Sequence, residues 1–155
     1  MKRVLSVLLA LLLLAATACQ APLGEESTVV VNDLPGVYCE IVEGTLTPKG
    51  AEVRFWHTLG DTRVMAGLPH FLEKEYLGKW YSMDHVRRYP YAETIWDTLG
   101  LPISAEYETN NPHLFDWGEY YPPLEPGHYR IVFPYNVGSG ETRQRHMLAT
   151  EFTIR

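Results

Sequence analysis

Apolar and polar residues alternate along most of this chain in short runs, and each run stops at a turn former. In "VYCEIVEG", Val37, Cys39 and Ile41 share one face, and "TLTPKG" then turns through Pro48, Lys49 and Gly50. "AEVRFWH" follows, with Ala51, Val53 and Phe55 facing one way and Glu52, Arg54 and Trp56 the other. A period of two marks a strand with one buried face. "HFLEKEYLGKWYSM" predicts two strands joined at Leu77-Gly78, because glycine takes the positive φ that a tight hairpin demands. Trp80 and Tyr81 then point to opposite faces, so at most one of them reaches the core.

Further along, "ISAEYET" places Ile103, Ala105 and Tyr107 on one side, and "NNPHLFDWGEYYPP" reads as a loop rich in turn residues and aromatics. "LEPGHYRIVFPY" turns at Pro126-Gly127 and extends with Tyr129, Ile131 and Phe133 on one face. The last run, "HMLATEFTIR", aligns Leu148, Thr150, Phe152 and Ile154 behind a tip at Gly138-Ser139-Gly140. Val29-Val30-Val31 predicts a first edge strand. Roughly seven strands at short spacing define an all-β chain and point to a β-sandwich. Residues 84–101 fit least well: a helical turn at 92–99 is confined by Pro90, Gly100 and Pro102.

The N-terminus breaks the pattern. Lys2 and Arg3 precede an aliphatic run from Val4 to Leu14, interrupted by Ser6, and small residues follow at Ala15, Ala16, Thr17 and Ala18. These are the three parts of an export signal, and the apolar run falls short of the ~20 residues of a spanning helix. Ala16-Thr17-Ala18-Cys19 resembles a bacterial lipobox, with Ala16 where leucine is usual; the cysteine of that motif is acylated and becomes the first mature residue. The plainer alternative is an ordinary signal cut near Ala18, which leaves Cys19 as a spectator or a disulfide partner of Cys39. Two or more acyl chains anchor durably, since each buried methylene contributes about 0.8 kcal/mol. The organisation expected is a signal peptide at 1–18, a tether at 19–34 and one domain at 35–155.

Composition narrows the partners. Removing 18 of the 155 residues leaves 137, enough for one domain core. Lys2 and Arg3 leave with the signal, so 13 basic residues become 11 against 19 acidic ones, a net charge of −8. An acidic surface argues against nucleic acid and against a polybasic grip on lipid. With Cys19 acylated, Cys39 has no partner in the chain, and its alternation with apolar neighbours makes it a small buried hydrophobe rather than a reactive thiol.

Three pieces in order, "GTLTPKGAEVRF", "LEKEYLGKWYSM" and "LEPGHYRIVFPY…ATEFTI", resemble a bacterial immunoglobulin-like domain family of exported and lipid-anchored proteins, mainly of Gram-positive bacteria. The resemblance covers most of residues 36–155. It implies an immunoglobulin-like sandwich with Tyr129 as a corner tyrosine whose hydroxyl bonds to nearby backbone. It implies no catalytic residues, because members act as interaction or structural modules.

Candidate chemistry is sparse. His57, His70, His85, His113, His128 and His146 show no metal-ligand spacing, and no cofactor is expected. Ser82, Ser104 and Ser139 sit in no nucleophile elbow, and Glu73 and Glu75 fall on one strand face, where like charges usually mean solvent. No phosphate-cradling glycine loop is present. What stands out is the aromatic set Phe115, Trp117, Tyr120 and Tyr121. Trp117, Tyr120 and Tyr121 are candidate binding residues for cell-wall glycan or an envelope protein; alternatively, these rings close the end of the sandwich.

The function expected is therefore a lipid-anchored extracytoplasmic binding or structural module at the cell envelope, held to the membrane through Cys19, and not an enzyme. The alternative is a small envelope hydrolase with Asp84, His85 and the Asp97 region as its acid/base site in 84–99. A structural spacer within a larger envelope complex is a third reading.

Overall fold

A computed structural model describes residues 23–67, 69–85, 100–105, 107 and 111–155. Among them the period of two becomes ten strands: β1 (Leu23–Glu26), β2 (Val37–Ile41), β3 (Gly50–His57), β4 (Val64–Gly67), β5 (Phe71–Tyr76), β6 (Lys79–Met83), β7 (Gly100–Ile103), β8 (His113–Asp116), β9 (Gly127–Val137) and β10 (Gln144–Ile154). They form a seven-stranded sheet, β1-β6-β5-β9-β4-β7 with β10 on the other side of β9, and a three-stranded sheet, β2-β3-β8. Every described strand pairing is antiparallel. The chain is all-β and sandwich-like.

The predicted inner faces meet in one core. Ala51, Val53 and Phe55 of the small sheet pack with Leu72, Ile131 and Phe133 of the large one. Phe133 receives Phe55 at 4.9 Å and 83°, and Phe115 at 4.8 Å and 60°. Edge-to-face rings of this kind contribute about 0.5–1.5 kcal/mol beyond the area they bury. The predicted hairpin forms between β5 and β6, with Leu77 at φ 52° and Gly78 at φ 79°. Two consecutive positive φ angles match the right-handed twist of the flanking strands.

β9 is the central strand. Its whole length pairs with β10, while its other side pairs with β5 as far as Val132 and with β4 from Tyr135 onward. Pro134 falls at the handover, where no ladder hydrogen bond is lost to its missing N–H. Gly67 ends β4 at the same spot, and a Cβ there would lie 2.9 Å from Pro134 Cγ. At the start of β9, the Tyr129 hydroxyl donates to the Glu125 carbonyl at 2.8 Å, the local bond expected of a corner tyrosine.

Four segments depart from the sequence reading. Leu23–Glu26, expected within the tether, form β1 on the free edge of β6, with Leu23 opposite Met83. Residues 29–31, expected as an edge strand, form none. β7 begins at Gly100 and stops at Ile103, because its antiparallel partner β4 starts only at Val64, opposite Ile103. The expected common face of Ile103, Ala105 and Tyr107 is therefore lost: Ile103 is buried and Tyr107 is exposed. The aromatic loop also gains order, since His113–Asp116 pair with β3 as β8 and a 3-10 turn at Trp117–Glu119 follows. Residues 86–99, which include most of the irregular segment, lie outside the described residues, as does Cys19.

Residues 27–32 form a strap across the outer face of the large sheet. At one end Ser27 N donates to Trp80 O on β6 at 2.8 Å. At the other, Asn32 docks on β10: its N–H donates to Met147 O at 2.8 Å, its side-chain amide donates to Ala149 O at 3.2 Å, and it accepts from Ala149 N at 2.9 Å. Ser27, Val29 and Val31 are half-buried, while Thr28, Val30 and Asn32 are exposed. Beneath the strap Arg130 Nε donates to Glu73 Oε2 at 2.5 Å, and Ser27 Oγ donates to Glu73 Oε1 at 2.5 Å. The Arg130 guanidinium also lies over Trp80, 4.6 Å from the ring centroid. Trp80 thus faces outward, on the side away from the core.

Candidate functional site

The aromatic residues singled out in sequence lie inside the fold. Trp117 is fully buried, its indole N–H donates to Pro48 O at 3.2 Å, and its ring stacks on Phe152 at 5.4 Å and 25°. Tyr121 is equally buried; its hydroxyl accepts from Leu72 N at 3.1 Å and lies 2.8 Å from His85 Nε2. Tyr120 is half-buried beside them. A buried ring offers no face to a sugar and no edge to a partner, so Trp117 and Tyr121 close the end of the core and do not form a contact surface. Composition flagged these rings, but only packing decides which way a loop turns its side chains.

A different aromatic cluster is on the surface. Alternation turns Tyr38 and Glu40 of β2, and Glu52, Arg54 and Trp56 of β3, away from the core. Register then sets Tyr38 directly opposite Trp56, and Glu40 opposite Arg54. Tyr38 stacks on Trp56 at 5.3 Å and 22°, and Tyr107 meets Trp56 at 5.0 Å and 83°. The Arg54 guanidinium sits 4.6 Å from the Tyr107 centroid and donates to its hydroxyl, which in turn donates to Glu40. Arg54 and Glu40 are 3.8 Å apart.

This cluster is open to solvent: Tyr38 is 42% exposed, Tyr107 39%, and Leu114 of β8, on the same face opposite Glu52, 72%. Along the β2 edge runs a groove of about 240 Å³, lined by Pro35, Tyr38, Cys39, Trp56, Leu148 and Ala149. The signal for this site was present in sequence, since Trp56 falls on the polar face of its strand. What was missing was the register that puts Tyr38 against it and the chain path that brings in Tyr107.

Of the acid/base candidates, Asp84 and His85 are among the described residues. Burial lowers the affinity of the His85 imidazole for a proton, against a smaller opposing pull from Asp84. His85 is held against Tyr121, Asp84 is exposed, and Asp97 lies outside the described residues. Among the described residues no group of three or more His, Cys, Asp or Glu side chains is placed to hold a metal ion. Cys39 is a free thiol packed against the core, and burial pushes its pKa up, which suppresses the nucleophilic thiolate.

No family model matches the chain, and neither a curated protein nor a solved structure matches it.

Proposed function

We propose that this chain is a binding module of the cell envelope: an exported immunoglobulin-like domain, held to the outer side of the membrane by lipid on Cys19, that contacts an envelope protein through the outer face of its small sheet. The observation that carries the reading is the exposed Tyr38–Trp56–Tyr107 cluster with the Arg54–Glu40 pair beside it. Tryptophan, tyrosine and arginine are the residues most often dominant in protein interfaces. A protein partner suits the geometry better than wall glycan does. Sugar stacking needs a free ring face, yet Trp56 has Tyr38 parallel to it and Tyr107 nearly perpendicular, so little flat platform remains. The immunoglobulin-like part is supported by the two antiparallel sheets and the Tyr129–Glu125 bond. The anchor is supported by the lipobox-like stretch before Cys19.

The test uses the domain as bait on detergent-solubilised envelope, with Trp56→Ala as a second bait and sedimentation with purified wall glycan as a parallel assay. A protein retained by the parent chain and lost with Trp56→Ala supports the proposal. Glycan binding that depends on Trp56 would reassign the ligand. Equal capture by both baits would remove the face from consideration. Mass spectrometry of the N-terminal peptide reads the anchor, and an exported chain with no lipid on Cys19 rules it out.

A further inference from the structure

We infer that the β1–β6 edge of the large sheet rides at the bilayer surface while the Tyr38–Trp56 face is carried on the far side of the domain. The inference rests on acylation of Cys19, proposed above. Four residue steps separate Cys19 from Leu23, and even a fully extended chain spans at most about 14 Å over that distance. Leu23 is already the first residue of a paired strand, opposite Met83, and Glu26 lies opposite Tyr81. No slack is available beyond it, because the strap that follows is bound to β6 at Ser27 and to β10 at Asn32. The lipid attachment point therefore holds one particular edge close to the headgroups, rather than a domain on a long leash.

Charge does not supply the placement. Among the described residues, Glu25, Glu26 and Asp84 are exposed around this edge, and Lys79 beside them is ion-paired with Glu26 at 2.8 Å. The described part of this edge is acidic and is not drawn to anionic lipid, so the placement is assigned to the short covalent link. Across the sheet, β10 is four strand spacings from β1, about 19 Å at the usual separation. Leu148 and Ala149 of β10 share a groove with Tyr38 and Trp56, so the exposed aromatic face belongs to that distant edge. The partner is thus met away from the attachment side.

The test takes the acylated protein purified from membranes, carrying Cys39→Ala and a single new thiol from either Glu25→Cys or Glu151→Cys. Each is labelled with a fluorophore and inserted into phosphatidylcholine vesicles that contain a headgroup nitroxide lipid. The expected result is loss of emission from position 25 and retained emission from position 151. A Gly/Ser insertion between Gln20 and Ala21 is expected to even out the two signals. With lipid confirmed on Cys19, equal quenching in the parent chain, or stronger quenching at position 151, overturns the placement and leaves the anchor intact. Absence of lipid on Cys19 overturns the anchor and the placement together.

Discussion

The two outer faces of this molecule are built from the same residue types and end in different states. On the large sheet Arg130 lies 4.6 Å from the Trp80 centroid and pairs with Glu73; on the small sheet Arg54 lies 4.6 Å from the Tyr107 centroid and pairs with Glu40. In each, a hydroxyl completes the carboxylate, from Ser27 in one and Tyr107 in the other. The first pair has side-chain exposures of 8% and 1%, the second 24% and 41%. The difference lies in the cover. Residues 27–32 are fixed at both ends across the large sheet, whereas Tyr38 and Tyr107 remain open on the small one. An Arg–Glu–aromatic group is thus buried where residues 27–32 cover it and stays open on the small sheet, the face proposed above for a partner.

The largest expected effect separates the two carboxylates. Glu73→Ala strands a buried guanidinium and is expected to lower unfolding free energy by about 3–5 kcal/mol. Glu40→Ala, in a solvated pair, is expected to cost about 0–1 kcal/mol. Urea unfolding at constant m-value compares them, and equal losses would break the contrast between the faces. Trp56→Ala comes next, at about 2 kcal/mol or more in affinity for a captured partner with little change in unfolding midpoint, as expected of an interface anchor. A large fall in stability with unchanged capture would show the cluster to be structural.

Smaller effects probe the strap and the pairs themselves. Asn32→Ala removes two side-chain hydrogen bonds to Ala149 and is expected to lower stability by about 1 kcal/mol, with faster hydrogen exchange at the Ala149 amide. Asn32 has φ 57°, so Asn32→Gly keeps the backbone and isolates the side-chain contribution. Slow exchange at Ala149 in both variants would mean that the strap does not depend on its clasp. The smallest effect is on salt dependence: the coupling of Arg54 to Glu40 in a double-mutant cycle is expected to fade as ionic strength rises, while that of Arg130 to Glu73 holds.

Sequence pattern was a good guide wherever a strand has one wet face and one dry one. β2, β3, the β5–β6 hairpin and β10 follow the alternation, whereas β9, which alternates in sequence, is buried on both faces from Tyr129 to Tyr135. Alternation failed where pairing with a distant strand, not local pattern, makes the element. Leu23–Glu26 is polar apart from its first residue and becomes a strand only because β6 presents a free edge. The valines at 29–31 look like a better strand, yet they cross the sheet instead of joining it. β9 continues through Pro134 because β5 and β4 change over there, a fact about two other strands. The site was half-legible for the same reason: alternation turned Trp56 outward, but its contacts with Tyr38 and Tyr107 depend on register and on a connection no local rule describes. Rings in the 117–121 stretch were visible as residues, while their direction was set by the core they fill.

The clasp at Asn32 also bears on how the molecule behaves in company. β10 is an outer strand, and the backbone groups of Met147 and Ala149 point away from β9, where a strand from another copy could dock. Asn32 occupies them with one backbone bond and a side-chain amide that both donates and accepts, as a pairing residue would. A bare strand edge is a template for aggregation, and filling it from within the same chain removes that template at the cost of a single residue in the left-handed region. Loss of the clasp is therefore a route to association between copies as well as to a looser fold.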